Sequence, residues 1–235
     1  MIARIASHFQ GRFLQGYVNG KLKGDPVFAA ACELLRETEQ PLLDLGCGIG
    51  LLAFYLRENG FSPAITGVDF DSGKIARAQK AADAHYRDLQ FETGDATTAR
   101  GFSGTITIID LLHYLDVEKQ HALLVQATKM IAPGGLCIIR ATPFSDHWRF
   151  RMTQAEEWFI SKIRWMKSPA KHYLRIEEIS APFAAAGFEV EVRQLWGKTV
   201  FNSYLFVFRR PSNALSSHRD STIRVASPPC SSLNK

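Results

Sequence analysis

Cysteine is scarce in this chain, and what there is stands apart. Four occur in 235 residues, Cys32, Cys47, Cys137 and Cys230. No two form a C-x-x-C pair and no histidine lies beside them at ligand spacing, which argues against a zinc finger or a redox dithiol. Cys47 and Cys137 sit in apolar runs and read as small core residues, so reduced thiols in a cytoplasmic protein are expected. Long apolar runs are missing too: none nears the roughly 18 residues that suggest a membrane span. The opening "MIARIASHFQGRFLQ" carries Arg4 and Arg12 among its apolar residues, so no signal-peptide core is expected. Nor is charge of one sign concentrated. The net charge is +5, and no Lys/Arg cluster is dense enough to read as a nucleic-acid footprint. DNA is therefore not expected as a partner, and RNA only on the mild positive charge. No internal repeat is present.

What remains is an ordinary globular composition, 46% hydrophobic and 22% charged. At this length it supports one substantial core rather than two. Residues 1–40 read as an N-terminal helical cap of two segments separated by "GKLKGDP". From residue 41 strands alternate with helices. "PLLDLG", "AITGVD", "LQFETGD", "GTITIIDLL" and "LCIIRAT" are strands. "LLAFYLREN", "DSGKIARAQKAADAHY" and residues 117–131 are helices. This alternation predicts a parallel sheet with helices on both faces. Residues 143–173 interrupt it as an insertion rich in aromatic and basic residues. A helix about "IEEISAPFAAAGF", kinked at Pro182, is followed by "EVEVRQLW" and "VFNSYLFVFRR" around the turn "GKT". Strands so closely spaced pair antiparallel. Residues 211–235 are Ser-rich, lack periodicity and are expected to be disordered. The main domain is thus 41–210.

The stretch "LLDLGCGIG" ends a buried strand in a carboxylate and follows it with Gly46, Gly48 and Gly50. Glycines there permit positive φ and leave no Cβ in the way of a ligand. Taken alone they fit a dinucleotide-binding loop equally. Asp44 changes the reading, because a pyrophosphate gains nothing from a carboxylate, whereas a cationic ligand does. Asp69 ends the second strand, where a carboxylate accepts both hydroxyls of a ribose. Phe70 beside it is suited to a purine face. "TGDA" then offers Asp95 to an exocyclic amine and the Ala96 N–H to a ring nitrogen. All three carboxylates stand at strand C-termini, where open α/β sheets bind ligands.

With these residues the chain resembles the class I S-adenosylmethionine-dependent methyltransferases over roughly residues 41–209, including the "APGG" turn and the closing hairpin. The resemblance implies an α/β, Rossmann-like, doubly wound sheet of seven mainly parallel strands with an antiparallel last strand. It also implies S-adenosylmethionine as cofactor, with backbone contacts at Gly46, Cys47, Gly48 and Gly50. Asp69 then serves the ribose, and Asp95 with Ala96 the adenine.

For chemistry, "IIDLLHYL" leaves the fourth strand where the methyl group is expected. His113 is the candidate base, since imidazole titrates near neutrality; its alternative role is to shape the pocket. Tyr114 is a second candidate or a wall. The Asp110 backbone is placed to hold the cofactor's amino group, and Tyr17 in "FLQGYVNGK" to close its methionine end. The Asn/Asp-Pro-Pro-aromatic signature of amino-methylating enzymes on bases is not here, and no metal is expected. The insertion interleaves Trp148, Phe150, Trp158, Phe159 and Trp165 with Arg149, Arg151, Lys162, Arg164, Lys167 and Lys171. This suggests an apolar acceptor pocket with a basic rim, suited to an acidic carrier protein, a phosphate-bearing thioester arm or an anionic membrane surface. "IIDLLHYL" and "IIRATPFSDHWRFRMTQAEEW" further resemble small bacterial methyltransferases of aryl-polyene and polyketide-like pathways. That implies secondary metabolism and a hydrophobic or aromatic acceptor, free or carrier-bound. The alternatives are an RNA methyltransferase and a non-catalytic cofactor-binding partner subunit.

Overall fold

Strand β1 (Leu42–Leu45) is buried at every residue, and the rest of the sheet is built outward from it. The computed structural model describes residues 1–153, 171–196, 202–212 and 224–226. In them β1 pairs in parallel with β2 (Ile65–Asp69) on one side and β4 (Thr105–Ile109) on the other. Beyond β2 lies β3 (Leu89–Thr93), and beyond β4 lies β5 (Leu136–Ala141), both parallel. Then β7 (Tyr204–Arg209) runs antiparallel to both β5 and β6 (Glu189–Gln194). With the short strand β8 (Arg224–Ala226) at one edge, the order is β3-β2-β1-β4-β5-β7-β6-β8. The order reverses between β1 and β4, the crevice at which such sheets bind ligands.

Alternation along the strands divides the core into two layers. Leu136 and Ile138 of β5 face one way, with helices α3 (Val27–Leu35), α4 (Leu51–Glu58) and α5 (Ser72–His85). Cys137 and Ile139 face the other, with α6 (Val117–Met130) and α8 (Ile176–Ala185). Phe183 of α8 stacks on Phe208 of β7 with centroids 3.8 Å apart. Each such fully buried side chain stabilises the fold by about 1.5–3 kcal/mol. Pro182 lies inside α8. Residues 148–153 are helical (α7).

Two expectations need correction. The N-terminal cap holds three helices: α1 (Ile2–Ser7), α2 (Arg12–Gly24) and α3. Gly11, at φ +92°, separates the first two. "GKLKG" belongs to α2, whose break falls at Asp25, because a residue preceding proline is driven out of the helical region. The sheet also gains an eighth strand from the tail expected to lack structure. Arg224–Ala226 (β8) pairs in parallel with β6, whose outer edge offers unpaired backbone donors and acceptors. The "GKT" turn lies outside the described residues. Among the described residues, no helix is long and apolar enough to cross a membrane.

Candidate active site

Past Leu45 the chain turns through Gly46, Gly48 and Gly50, at φ +80°, +59° and +78°. The Gly46 and Cys47 N–H groups both donate to the Val68 carbonyl, at 2.8 and 3.1 Å, tying the loop to β2. The three glycines answer to different neighbours. A Cβ on Gly50 would stand 2.6 Å from Phe91 Cζ, and one on Gly46 would stand 3.1 Å from Leu111 Cβ. One on Gly48 would meet nothing within 4 Å. Only Gly48 therefore opens to a ligand; the other two are closed by the protein itself. Phe91 also packs against Gly67, its register partner on β2, where a Cβ would lie 2.6 Å away. Sequence reasoning passed over Phe91 and Gly67. A large aromatic in register with a strand glycine was the signal.

Asp69 is buried, with its Oδ2 accepting from the Gly48 N–H and its Oδ1 from the Asp71 N–H, both at 2.9 Å. Each oxygen keeps a lone pair for a further donor. Asp71 caps α5 by accepting from the N–H groups of Gly73 and Lys74. Phe70, between the two aspartates, is 56% exposed. Asp95 is more occupied than the sequence suggested. Its Oδ1 accepts from the Thr97 N–H and hydroxyl at 2.9 and 2.7 Å, and its Oδ2 lies 3.4 Å from Lys119 Nζ. Burial works against ionisation here, but Thr97 and Lys119 outweigh it and hold this carboxyl below its usual range. Ala96 is buried beside it.

Asp44 differs in kind. It is 3% exposed, and its Oδ1 accepts from the Thr107 hydroxyl at 2.7 Å. Burial outweighs that hydrogen bond and, with the charge of Asp69 adding to it, pushes the carboxyl up to about 7. A buried acid in this condition is suited to a ligand that brings a positive charge. Burial, then Asp44 and Asp69, push the Cys47 thiol well above its usual range, so Cys47 offers its backbone rather than a nucleophile.

At the end of β4, Asp110 adopts φ +55°, a left-handed conformation that costs a non-glycine residue of order 1–3 kcal/mol. Its carboxylate is ion-paired with Arg140 of β5. Arg140 also reaches Asp25 at 3.1 Å and donates to the Ser203 hydroxyl at 3.0 Å. Lys21 of α2 lies 2.7 Å from Asp25 and 3.8 Å from Asp110. Burial works against both ions, yet Arg140 and Lys21 hold the Asp25 carboxyl low, while Asp110 and Asp25 hold the Lys21 ammonium high. None of Lys21, Asp25, Arg140 and Ser203 was picked out from the sequence. Arg140 interrupting the apolar strand "LCIIRAT" was the available clue. Tyr17 is half-buried one turn before Lys21, packed on the core.

His113 follows in a short 3-10 turn and is 6% exposed. Its ring lies 4.1 Å from Tyr114 and stacks near-parallel on Tyr173 at 5.9 Å. Phe150 meets Tyr173 edge-on at 5.0 Å, and Phe144 meets Phe150 at 5.3 Å. Burial pushes the imidazole down to about 4; Asp110 opposes this and Arg140 adds to it. At neutral pH the ring is uncharged. Part of the expected basic rim is engaged with rings: Arg149 lies 5.0 Å from Trp148 and 4.5 Å from Trp196. Arg175, just beyond the insertion, lies 4.9 Å from Phe144. Lys171 pairs with Asp116 at 3.0 Å. Trp158, Phe159, Trp165, Lys162, Arg164 and Lys167 lie outside the described residues. Among the described residues no group of three or more His, Cys, Asp or Glu side chains is placed to hold a metal ion.

The methyltransferase-domain family matches residues 18–192. A phosphoethanolamine N-methyltransferase of Triticum aestivum is 29% identical over 62% of this chain and 28% of its own. A ubiquinone biosynthesis O-methyltransferase of Rhizobium johnstonii is 28% identical over 72% of this chain and 66% of its own. The chain spans between 26% and 40% of the length of five of the curated relatives that it matches. Among solved structures, magnesium protoporphyrin IX methyltransferase of Synechocystis with bound SAH superposes with TM-score 0.63 and 18% identity. That match covers 88% of this chain and 91% of the other. Joined to the glycine turn, the strand-end carboxylates and the reversed closing strand, these likenesses settle the family: the chain belongs to the class I S-adenosylmethionine-dependent methyltransferase family.

Proposed function

We propose that the enzyme methylates a small, apolar or aromatic acceptor, and that the observation carrying this reading is the aromatic wall His113–Tyr173–Phe150–Phe144 at the end of β4. The donor enters over Gly48, the one loop glycine with open space beside it. Asp69, already aligned by the Gly48 and Asp71 N–H groups, takes the ribose hydroxyls. Asp95 Oδ2 and the Ala96 N–H take the adenine, with Phe70 against its face and Lys119 yielding its place to the amine. Asp44 answers the positive charge of the methionine end, directly or through water, and the Asp110 backbone and Tyr17 close that end. Bound in this way, S-adenosylmethionine supplies a methyl group already activated for displacement. The protein must then orient and desolvate the acceptor, which contributes about 7–11 kcal/mol of the barrier.

The donor side is tested by calorimetry. Asp69→Ala is expected to abolish S-adenosylmethionine binding and, by leaving the Gly48 and Asp71 N–H groups without their acceptor, to lower the melting temperature while the protein still folds; retained binding contradicts the assignment.

His113 serves as a wall in this reading. A base works best with a pKa near the working pH, and an imidazole pushed down to about 4 stays neutral and weakly basic. Turnover is therefore expected to be flat between pH 6 and 8 at saturating cofactor, and His113→Phe to retain most of it. A decline below pH 7 that vanishes in His113→Ala makes it the base instead, as does loss of turnover in both variants with cofactor binding intact. A carrier-borne acceptor is the second reading, favoured by Arg175 standing over Phe144 of this wall and by Arg149 over the neighbouring Trp148.

A further inference from the structure

One guanidinium joins four parts of the fold at the methionine end of the site. Arg140 rises from β5, pairs with Asp110 at the end of β4 and with Asp25 between α2 and α3, and donates to Ser203 at the start of β7. Its side chain is 12% exposed, and that of Asp25 is 8% exposed. Two of these links bear on geometry that the donor needs. Asp110 holds a left-handed backbone, which an unrestrained aspartate visits only in a minority of cases. That turn sets Leu111 against the glycine loop, 3.1 Å from where a Gly46 Cβ would stand. Through Asp25 the same guanidinium, with Lys21, fixes α2, the helix that carries Tyr17.

We infer that Arg140 is a positioning residue for the donor's amino-acid end. Through Asp110 it fixes the turn that leaves β4 against the glycine loop, and through Asp25 it fixes the cap helix above it. The nucleoside end, held by Asp69 and Asp95, lies outside its reach. The inference rests on the cofactor site proposed above, and it predicts an effect confined to one half of the ligand.

The test compares two probes by calorimetry: S-adenosylmethionine and 5′-methylthioadenosine, which keeps the nucleoside and sulfur but lacks the amino-acid chain. In Arg140→Met, S-adenosylmethionine is expected to bind at least about tenfold more weakly, the scale of breaking a buried charge pair. Methylthioadenosine is expected to bind as it does to the parent. Arg140→Lys, which keeps the charge but not the fork, should fall between them for the first probe alone. Equal losses on both probes overturn the inference, since damage to the fold as a whole does not discriminate between halves of a ligand. Undiminished S-adenosylmethionine binding overturns it too. If the parent protein binds neither probe, the cofactor site itself is misassigned, an outcome distinct from the other two.

Discussion

Asp44→Asn is expected to raise the protein's melting temperature at pH 8 and, in the same variant, to remove S-adenosylmethionine binding. The two effects share one cause. In the folded chain the Asp44 carboxyl is pushed up to about 7 by burial, against an ordinary value of 3.8. Between those values the native state holds a proton that the unfolded chain has released, so stability falls as pH rises. The penalty is absent below about pH 4 and complete above about pH 7. At about 1.4 kcal/mol for each tenfold change in proton affinity, it amounts to roughly 4 kcal/mol. Asparagine has the same shape, and its carbonyl still accepts from the Thr107 hydroxyl that now meets Asp44 at 2.7 Å. A gain of about 8–16 °C is therefore expected at pH 8, shrinking towards zero near pH 4. The expected cost is a functional one, since the proposed role of this carboxylate is to meet a cationic ligand. Scanning calorimetry at both pH values checks the first half, and titration of the cofactor checks the second. A variant less stable than the parent at pH 8 removes the electrostatic argument. The same acid makes cofactor affinity in the parent fall as pH drops below about 7.

The second large effect separates two glycines that look alike. Gly48→Ala is expected to fold with little loss of stability and to lose the cofactor; Gly50→Ala is expected to lose about 2–5 kcal/mol of stability. Both positions have positive φ, so either alanine costs about 1–2 kcal/mol in backbone strain. At Gly48 nothing further intrudes, because no atom lies within 4 Å of the new methyl group. That methyl then stands in the proposed path of the nucleoside. At Gly50 the methyl meets Phe91 at 2.6 Å and Phe54 at 3.2 Å, rings packed in the core. Overpacking of this sort adds about 1–3 kcal/mol. Urea denaturation and cofactor titration of the two variants, side by side, read the difference. Parent-like cofactor binding by Gly48→Ala contradicts the proposed approach of the donor.

The strand–helix alternation and the positions of Asp44, Asp69 and Asp95 were legible because they depend on local pattern: buried runs, turn glycines, a carboxylate closing each strand. Less legible was anything set by contact between distant segments. The division of labour among Gly46, Gly48 and Gly50 depends on Leu111 and Phe91, which lie far along the chain. The cluster of Lys21, Asp25, Asp110 and Arg140 is invisible to periodicity, as its members meet from three distant places: the end of α2, the end of β4 and β5. His113 was marked for its ordinary pKa, whereas its burial, a tertiary property, is what decides its protonation. The eighth strand depends on an open sheet edge that the tail's own composition does not announce.

Methyl transfer to a small apolar acceptor is read from the label itself. Purified enzyme is given S-adenosylmethionine carrying a tritiated methyl group together with a cell lysate, and the products are separated into organic-soluble small molecules, protein and RNA. Label in the organic-soluble fraction, absent when Asp69→Ala replaces the parent, is the predicted result. Label confined to RNA, or none in any fraction from an enzyme that binds the cofactor, contradicts it.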